Sequence, residues 1–126
     1  MRTLEFLEEK TLQDGGVTYS LEEGLLLGRP FYAISLHKEL EEIIPKKEFN
    51  ADKIKMFIIK NDKILWEDIR AIGTWIYNDD VYLDVTTVFP KDGPCAVTEE
   101  ELANLAYHNG QLAAWDLELN QEIKFQ

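Results

Sequence analysis

The sequence contains few of the residues that form covalent cross-links, metal sites or nucleophilic centres. Its 126 residues include one cysteine, Cys95, two histidines and two serines. A single cysteine excludes an intramolecular disulfide and favours a reducing compartment, so we expect a cytoplasmic protein. Two histidines and one cysteine without zinc-ligand spacing predict no structural zinc site. The G-x-S-x-G motif is absent, which argues against a serine hydrolase.

Long apolar runs, phosphate-binding loops and proline-rich segments are also lacking. No run approaches the ~20 apolar residues needed to cross a membrane, and the first residues are too polar for a signal peptide. The glycines match neither of the common nucleotide-binding patterns. Seven glycines and four prolines in a chain that is 45% hydrophobic exclude disordered and linker-dominated classes. We therefore predict one globular domain over residues 1–126, without cofactor, metal or membrane contact.

Basic residues are scarce in the second half of the chain. Residues 1–63 carry 12 acidic and 10 basic side chains, whereas residues 64–126 carry 12 acidic and 3 basic ones. Direct binding of nucleic acid needs lysine or arginine at the phosphates, so the acidic half argues against it. Concentrated negative charge steers a positively charged partner. The alternative is that the charge serves solubility alone.

Hydrophobic periodicity predicts an α+β domain with an antiparallel sheet of about six to eight short strands and two helices. Residues 2–10 alternate loosely, which predicts a strand, and a pair of glycines joins it to a second strand at 17–19. Residues 31–37 are rich in aromatic and β-branched types and predict a strand. Residues 41–48 are its expected partner, and Pro45 indicates an edge position there.

The remaining elements carry clear boundary signals. Asn50 is an N-cap type, and apolar residues at helical spacing follow it. Strict alternation predicts a hairpin of residues 72–77 and 81–89 around an Asn-Asp-Asp turn. Thr98 and Glu101 fit the capping box of a second helix, which Asn109-Gly110 ends. Two last strands are predicted at 111–117 and 121–125.

The three tryptophans divide into two predicted roles. Trp75 and Trp115 fall within strands and are expected to fill the core. Trp66, beside acidic residues after the first helix, is expected to be an exposed anchor at a protein interface.

Two chemical sites are weaker alternatives. One is a nucleophile and base formed by Cys95 and His108, and the other is a cation site formed by oxygen ligands of the hairpin aspartates, but neither group has a known motif.

Residues 72–123 resemble a family of small, functionally uncharacterised proteins carried by bacteriophages and other mobile elements. The resemblance rests on a G-x-W strand, a V-Y-L-D-V strand, a helix, an N-Q-L-A-x-W-D-L segment and a closing E-I. This sequence departs from the family pattern by inserting Gly110 and by placing Ala114 where a β-branched residue is usual. The resemblance implies a mobile-element origin more than an activity.

The combined observations favour a binding protein over an enzyme. We hypothesise an acidic module that inhibits a host defence nuclease, of the anti-CRISPR or antirestriction type, by occluding its basic nucleic-acid site. The predicted partner is a basic protein such as a CRISPR effector or restriction nuclease in the bacterial cytoplasm. The alternatives are an enzyme acting on a small molecule or nucleotide in a pocket of Trp75, Tyr82 and Asp84, and a virion accessory protein. The predicted contact residues are Asp79, Asp80, Asp84, Glu99, Glu100, Glu101 and Trp66.

Overall fold

Helices and strands are intermixed along the chain in the computed structural model, which describes residues 3–67 and 69–125. The helices are α1 (Thr3–Asp14), α2 (Ala51–Lys60), α3 (Asp62–Leu65) and α4 (Glu99–His108). The strands are β1 (Gly16–Ser20), β2 (Gly24–Leu25), β3 (Phe31–Ser35), β4 (Glu42–Pro45), β5 (Arg70–Tyr77), β6 (Asp80–Pro90), β7 (Ala113–Asp116) and β8 (Gln121–Lys124). The predicted α+β class is confirmed, with two more helices than expected.

The eight strands form one curled antiparallel sheet in the order β2-β1-β5-β6-β3-β7-β8. Strand β6 is central because its eleven residues pair with β5 on one side and with both β3 and β4 on the other. The predicted pairing of residues 41–48 with β3 is therefore wrong. Strands β3 and β4 lie in line along β6, and Lys46–Glu48 form a 3-10 turn.

The β5–β6 hairpin agrees with its prediction in position and in the assignment of its faces. Asn78 and Asp79 both adopt positive φ, of 51° and 65°, which the two-residue hairpin turn requires and these residue types tolerate. Ile72 and Thr74 are buried on one face, whereas Trp75 and Tyr77 are exposed on the other. We call these the helix-covered face and the second face of the sheet.

The helices pack on the helix-covered face. Leu7 of α1 and Ile54 and Phe57 of α2 contact the buried residues of β5 and the first half of β6. Leu102 and Ala106 of α4 pack on β3 and β7 in a separate cluster. Each fully buried aliphatic or aromatic side chain contributes about 1.5–3 kcal/mol, which holds the helices to the sheet.

The predicted caps of α2 and α4 are present. The side chain of Asn50 accepts a hydrogen bond from the Lys53 backbone N–H at 3.0 Å. Thr98 Oγ1 accepts from the Glu101 N–H at 3.0 Å, and the Glu101 carboxylate accepts from the Thr98 N–H at 2.8 Å. These reciprocal bonds satisfy backbone donors that a helix start otherwise leaves unpaired.

The predicted first strand is wrong, because residues 3–14 form α1. The helix buries Leu7 and Thr11 on its sheet-facing side, one helical turn apart, and Gly15 ends it with φ of 85°. The Gly15 N–H donates to the Thr11 carbonyl at 2.9 Å. Arg2, which the prediction also included, lies outside the described residues.

The second face of the sheet is covered at one end only. Leu26 and Leu117 pack on Ala33, Ala71 and Val88 there. The segments that carry them come from opposite sides of the sheet, and the Gly28 N–H donates to the Leu117 carbonyl at 2.8 Å. The sheet therefore curls over this end and leaves the hairpin end open.

Trp75 and Trp115 are not core residues, contrary to prediction. Both lie on the second face, where the register places Trp115 beside Ala33 of β3, and each is about two fifths exposed. The indole N–H of Trp115 donates to Asn120 Oδ1 at 3.2 Å. Helices cover only the opposite face, which is why large aromatic side chains remain partly exposed here.

Candidate functional site

An exposed group of apolar side chains lies at the open end of the second face. Its members are exposed Ile43, Trp75 and Tyr77 together with half-buried Tyr82, and we call this group the aromatic patch. Strand register places Ile43 opposite Tyr82 and Tyr82 opposite Trp75. Ile43 and Tyr77 are each 54% exposed and Trp75 is 41% exposed. These residues come from β4, β5 and β6, so the sheet itself positions them.

The rings of the aromatic patch contact one another. Trp75 stacks on Tyr82 with a centroid distance of 4.4 Å and an interplanar angle of 21°. Tyr77 lies 5.7 Å from Trp75 in a tilted arrangement. Aromatic pairs at these distances stabilise each other by about 0.5–1.5 kcal/mol beyond the area that they bury. The patch is therefore an ordered surface that needs little rearrangement to bind.

Two of the predicted acidic residues border the aromatic patch. Asp80 pairs with Tyr77 across the hairpin and with Pro45 of β4, and Asp79 forms the turn beside it. Lys46 and Lys47 line a shallow cavity of about 490 Å³ together with Asp79. The lysines offset the charge of the two aspartates, so this margin is locally close to neutral.

Asp84 lies on the second face but is only 6% exposed, so it cannot belong to an acidic contact surface as predicted. Its carboxylate accepts a hydrogen bond from the Thr86 hydroxyl. Both groups lie directly over Gly73, where an added Cβ would collide with them. Burial raises the pKa of Asp84 to about 6, although the bond from Thr86 acts in the opposite direction.

The three glutamates of α4 lie at the other end of the molecule. The Val97 N–H donates to the Pro90 carbonyl at 3.0 Å, which ties the segment before α4 to the end of β6. Asp80 begins the same eleven-residue strand, so its length separates the two acidic groups by roughly 30 Å. Glu101 is also engaged in its capping box.

Trp66 lies on a third surface. It is 57% exposed, as the sequence predicts, and it borders a cleft of about 270 Å³ between the β1–β2 loop and the start of β5. The seven predicted contact residues therefore do not share one surface. Asp79 and Asp80 lie together at the hairpin, the three glutamates lie together on α4, and Asp84 and Trp66 lie apart from both groups. One continuous acidic face does not form, because the hairpin aspartates lie where β6 begins, the glutamates lie on α4 beyond its far end, and Asp84 is buried within the strand.

The residues of the alternative enzyme pocket do share one face. Trp75 and Tyr82 stack, and Asp84 follows two residues after Tyr82 on the same side of β6. None of the three lines either of the two cavities described above. Trp75 is exposed and Asp84 is buried farther along the same face, a geometry that suits contact with a large partner better than enclosure of a small substrate.

Metal and thiol chemistry find little support in the part of the chain that the structure describes. No group of three or more histidine, cysteine, aspartate or glutamate residues in residues 3–67 and 69–125 is placed to hold a metal ion. Cys95 is exposed, and the ring of His108 packs edge-on against Tyr107. Within the same residues, no helix is long and apolar enough to cross a membrane.

Sequence reasoning missed Ile43 and Tyr77 as surface contacts. The alternation of the sequence predicts that Trp75 and Tyr77 lie on the same face of the hairpin. It does not predict that this face lacks a covering element, because that depends on how the whole sheet curls.

Comparison with known protein families, with curated proteins and with solved structures finds no match to this chain. The resemblance to phage proteins therefore remains a prediction.

Proposed function

We propose that this protein is a protein-binding module that contacts its partner through the aromatic patch. The observation that carries this proposal is the exposure of Trp75 and Tyr77 together with Ile43 on an uncovered, ordered sheet face. Tryptophan and tyrosine are enriched among the residues that contribute most of the binding energy in protein interfaces. Burial of such residues against a partner would complete the second face as Leu26 and Leu117 complete its other end.

The proposed partner is a basic protein. The net charge of -11 repels a second copy of this chain and attracts a positively charged surface. A nucleic-acid-binding protein has such a surface, and a defence nuclease of the bacterial cytoplasm is the narrower form of this proposal, which rests on the resemblance alone. The exposed acids lie at both ends of β6, so they favour steering and steric occlusion over imitation of a continuous phosphate backbone.

The experiment compares the wild-type protein with the double variant W75A/Y77A as immobilised bait. Tyr107→Ala is the matched control, because Tyr107 is 82% exposed on α4, outside the patch. We expect a basic protein from a bacterial lysate to be retained by the wild type and by Y107A and lost with W75A/Y77A. Purified candidate nucleases then give the affinity directly. Loss of two hot-spot residues should weaken it by about 100-fold or more.

Two results would contradict this proposal. Equal affinity of the wild type and W75A/Y77A for the same partner would exclude the patch as the contact surface. A partner with an acidic surface, whose affinity does not fall at high salt, would exclude the proposal that negative charge selects a basic protein. Unchanged unfolding curves of the variants establish that a loss of binding is not a loss of fold.

A further inference from the structure

The cleft beside Trp66 is a second candidate site, on a different surface from the aromatic patch. We call it the Trp66 cleft. Its volume is about 270 Å³. It is lined by Ser20, Glu22, Glu23, Leu26, Phe31, Leu65, Trp66, Glu67, Ile69, Arg70, Val88 and Pro90.

The Trp66 cleft has an apolar floor and an aromatic rim. Leu26, Val88 and Leu65 are buried side chains that form part of its lining. Trp66 and Ile69 are both exposed at its margin. Ile69 adopts φ of 62°, a conformation that a β-branched residue rarely takes, and its carbonyl accepts from the Val88 N–H at 2.8 Å. This hydrogen bond ties Ile69 to β6.

Carboxylates surround this apolar floor. Glu22 and Glu23 come from the β1–β2 loop, whose backbone N–H groups donate to Ser20 Oγ at 3.2 and 3.0 Å. Glu67 follows Trp66, and its nearest described cation is Arg70 at 4.0 Å. The lining has three glutamates, and they outnumber the two nearby arginines, Arg70 in the lining and Arg29 paired with Glu23, so the cleft keeps a net negative charge. A ligand for this cleft therefore has an apolar part and a positive end.

The chain itself shows how this wall binds a guanidinium group. Arg29 Nη2 lies 2.8 Å from Glu23 Oε1, and the same guanidinium lies 5.5 Å from the centre of the Phe31 ring. Glu23 and Phe31 both line the cleft. A carboxylate and an aromatic ring thus already hold one arginine here. The lining also contains two further carboxylates, Glu22 and Glu67, and a second aromatic ring, Trp66.

We propose that the Trp66 cleft binds an arginine side chain of a partner protein. The methylene groups of the arginine would cover the apolar floor, and its guanidinium would bind Glu22 and Glu67 beside the Trp66 ring. Arginine suits the site better than lysine, because its planar guanidinium binds carboxylates at two points and stacks on aromatic rings. The site lies apart from the aromatic patch and does not depend on the function proposed for it.

The test uses Nα-acetyl-arginine amide and its neutral isostere, Nα-acetyl-citrulline amide, as probes. Binding is followed by the indole N–H resonances of the three tryptophans in the isotopically labelled protein, assigned by single Trp→Phe variants. We expect the arginine probe to shift the Trp66 resonance and the citrulline probe to bind at least about tenfold more weakly. The double variant E22Q/E67Q should bind the arginine probe at least about tenfold more weakly than the wild type.

Matched variants distinguish this site from general charge effects. E99Q/E100Q removes the same charge from the far end of the molecule and should leave the affinity for the arginine probe unchanged. W75A/Y77A should also leave it unchanged, so failure of the cleft and failure of the aromatic patch are separable. Equal response to citrulline, no loss in E22Q/E67Q, or a shift of Trp75 or Trp115 without Trp66 would each overturn the proposal.

Discussion

Asp84 is an ionisable group in a position where its charged form is costly. Its carboxylate is buried against Gly73 and has the Thr86 hydroxyl as a hydrogen-bond donor. Burial raises its pKa to about 6, and the charge of Glu41 acts in the same direction. In an unfolded chain an aspartate has a pKa of about 3.9. The folded state therefore binds a proton more tightly than the unfolded state, and folding stability falls as pH rises through this interval.

Asp84→Asn should remove this pH dependence. We expect the free energy of unfolding of the wild type, relative to D84N, to fall by about 1–3 kcal/mol between about pH 4 and about pH 7.5. Asparagine keeps an oxygen that accepts from Thr86 but carries no charge. Urea unfolding of both proteins across this range measures the difference. Asp79→Asn, at an exposed turn position, is the control, and a flat difference for D84N would contradict the assigned pKa.

The burial of Asp84 shows what residue patterns leave undetermined. Alternation along β6 correctly separates Val81, Leu83 and Val85 from Tyr82 and Asp84. Because Asp84 is acidic, the same pattern predicts that its face of the strand is exposed to solvent. The sheet instead curls, and its second face changes from half-buried at Tyr82 to buried at Val88 within one strand. Only the pairing of distant strands determines where along β6 that change falls.

At the level of elements, α1 is joined to the sheet by a buried polar contact. Thr11 Oγ1 of α1 lies 2.7 Å from Thr74 Oγ1 of β5, and the Val17 N–H donates to the same Thr74 oxygen at 3.1 Å. Both threonines are almost completely buried. The contact fixes the helix against β5 in a way that apolar packing alone does not, because hydrogen bonds require a specific distance and direction.

Thr11→Val should therefore destabilise the protein by about 1–2 kcal/mol, since it keeps the shape but removes one hydroxyl of a buried pair. In the background of Thr74→Val the same substitution should cost at least about 1 kcal/mol less, because the partner is already absent. A double-mutant cycle by urea unfolding gives this coupling. Strictly additive costs of the two substitutions would show that the hydroxyls do not interact.

Elements with local boundary signals were predictable, and α1 was not. The hairpin has strict alternation and a turn whose residues accept positive φ, and α2 and α4 have capping side chains. Helix α1 shows little amphipathic pattern, since its buried side consists of Leu7 and Thr11 and includes a polar residue. The threonine is buried only because Thr74 lies opposite it, which no local pattern contains.

On the scale of the whole molecule, Lys91 connects the end of β6 to the β7–β8 hairpin. Its Nζ lies 2.8 Å from Asp116 and 2.9 Å from Glu118, and 5.4 Å from the centre of the Tyr32 ring. Burial acts to raise the pKa of Asp116, but hydrogen bonds from Lys91 and from the Leu119 N–H outweigh it and lower that pKa. The ionised pair therefore stabilises the fold above the pKa of an unfolded aspartate and loses this effect as pH falls.

Lys91→Met should lower the melting temperature at neutral pH by several degrees, because it leaves the buried Asp116 carboxylate without its cation. Lys124→Met is the control, since Lys124 is exposed and only loosely paired with Glu122 at 3.9 Å. The difference between K91M and the wild type should shrink as pH falls below about 4, the pKa of an unfolded aspartate, because the wild type then loses the stabilisation that ionised Asp116 provides. Thermal unfolding at a series of pH values measures the difference in melting temperature between K91M and the wild type. A difference that stays constant in acid would contradict the role given to the Lys91–Asp116 ion pair.

The candidate site was predictable only in part at this scale. The acidity of the second half and the exposure of Trp66 follow from sequence, and both hold in the structure. The number of residues between Asp80 and Glu99 does not predict how far apart they lie in the structure, because β6 runs from one end of the sheet to the other. Which aromatic residues stay uncovered is likewise a property of the assembled sheet.

The central position of β6 has a consequence for the order of folding. The β5–β6 hairpin needs only local contacts, whereas β1, β3 and β4 reach it from far earlier in the chain, and such long loops close slowly. We expect the hairpin to form first and to act as the template on both of its edges. It supplies Trp75, Tyr77 and Tyr82, so most of the aromatic patch is present before the rest of the molecule has folded.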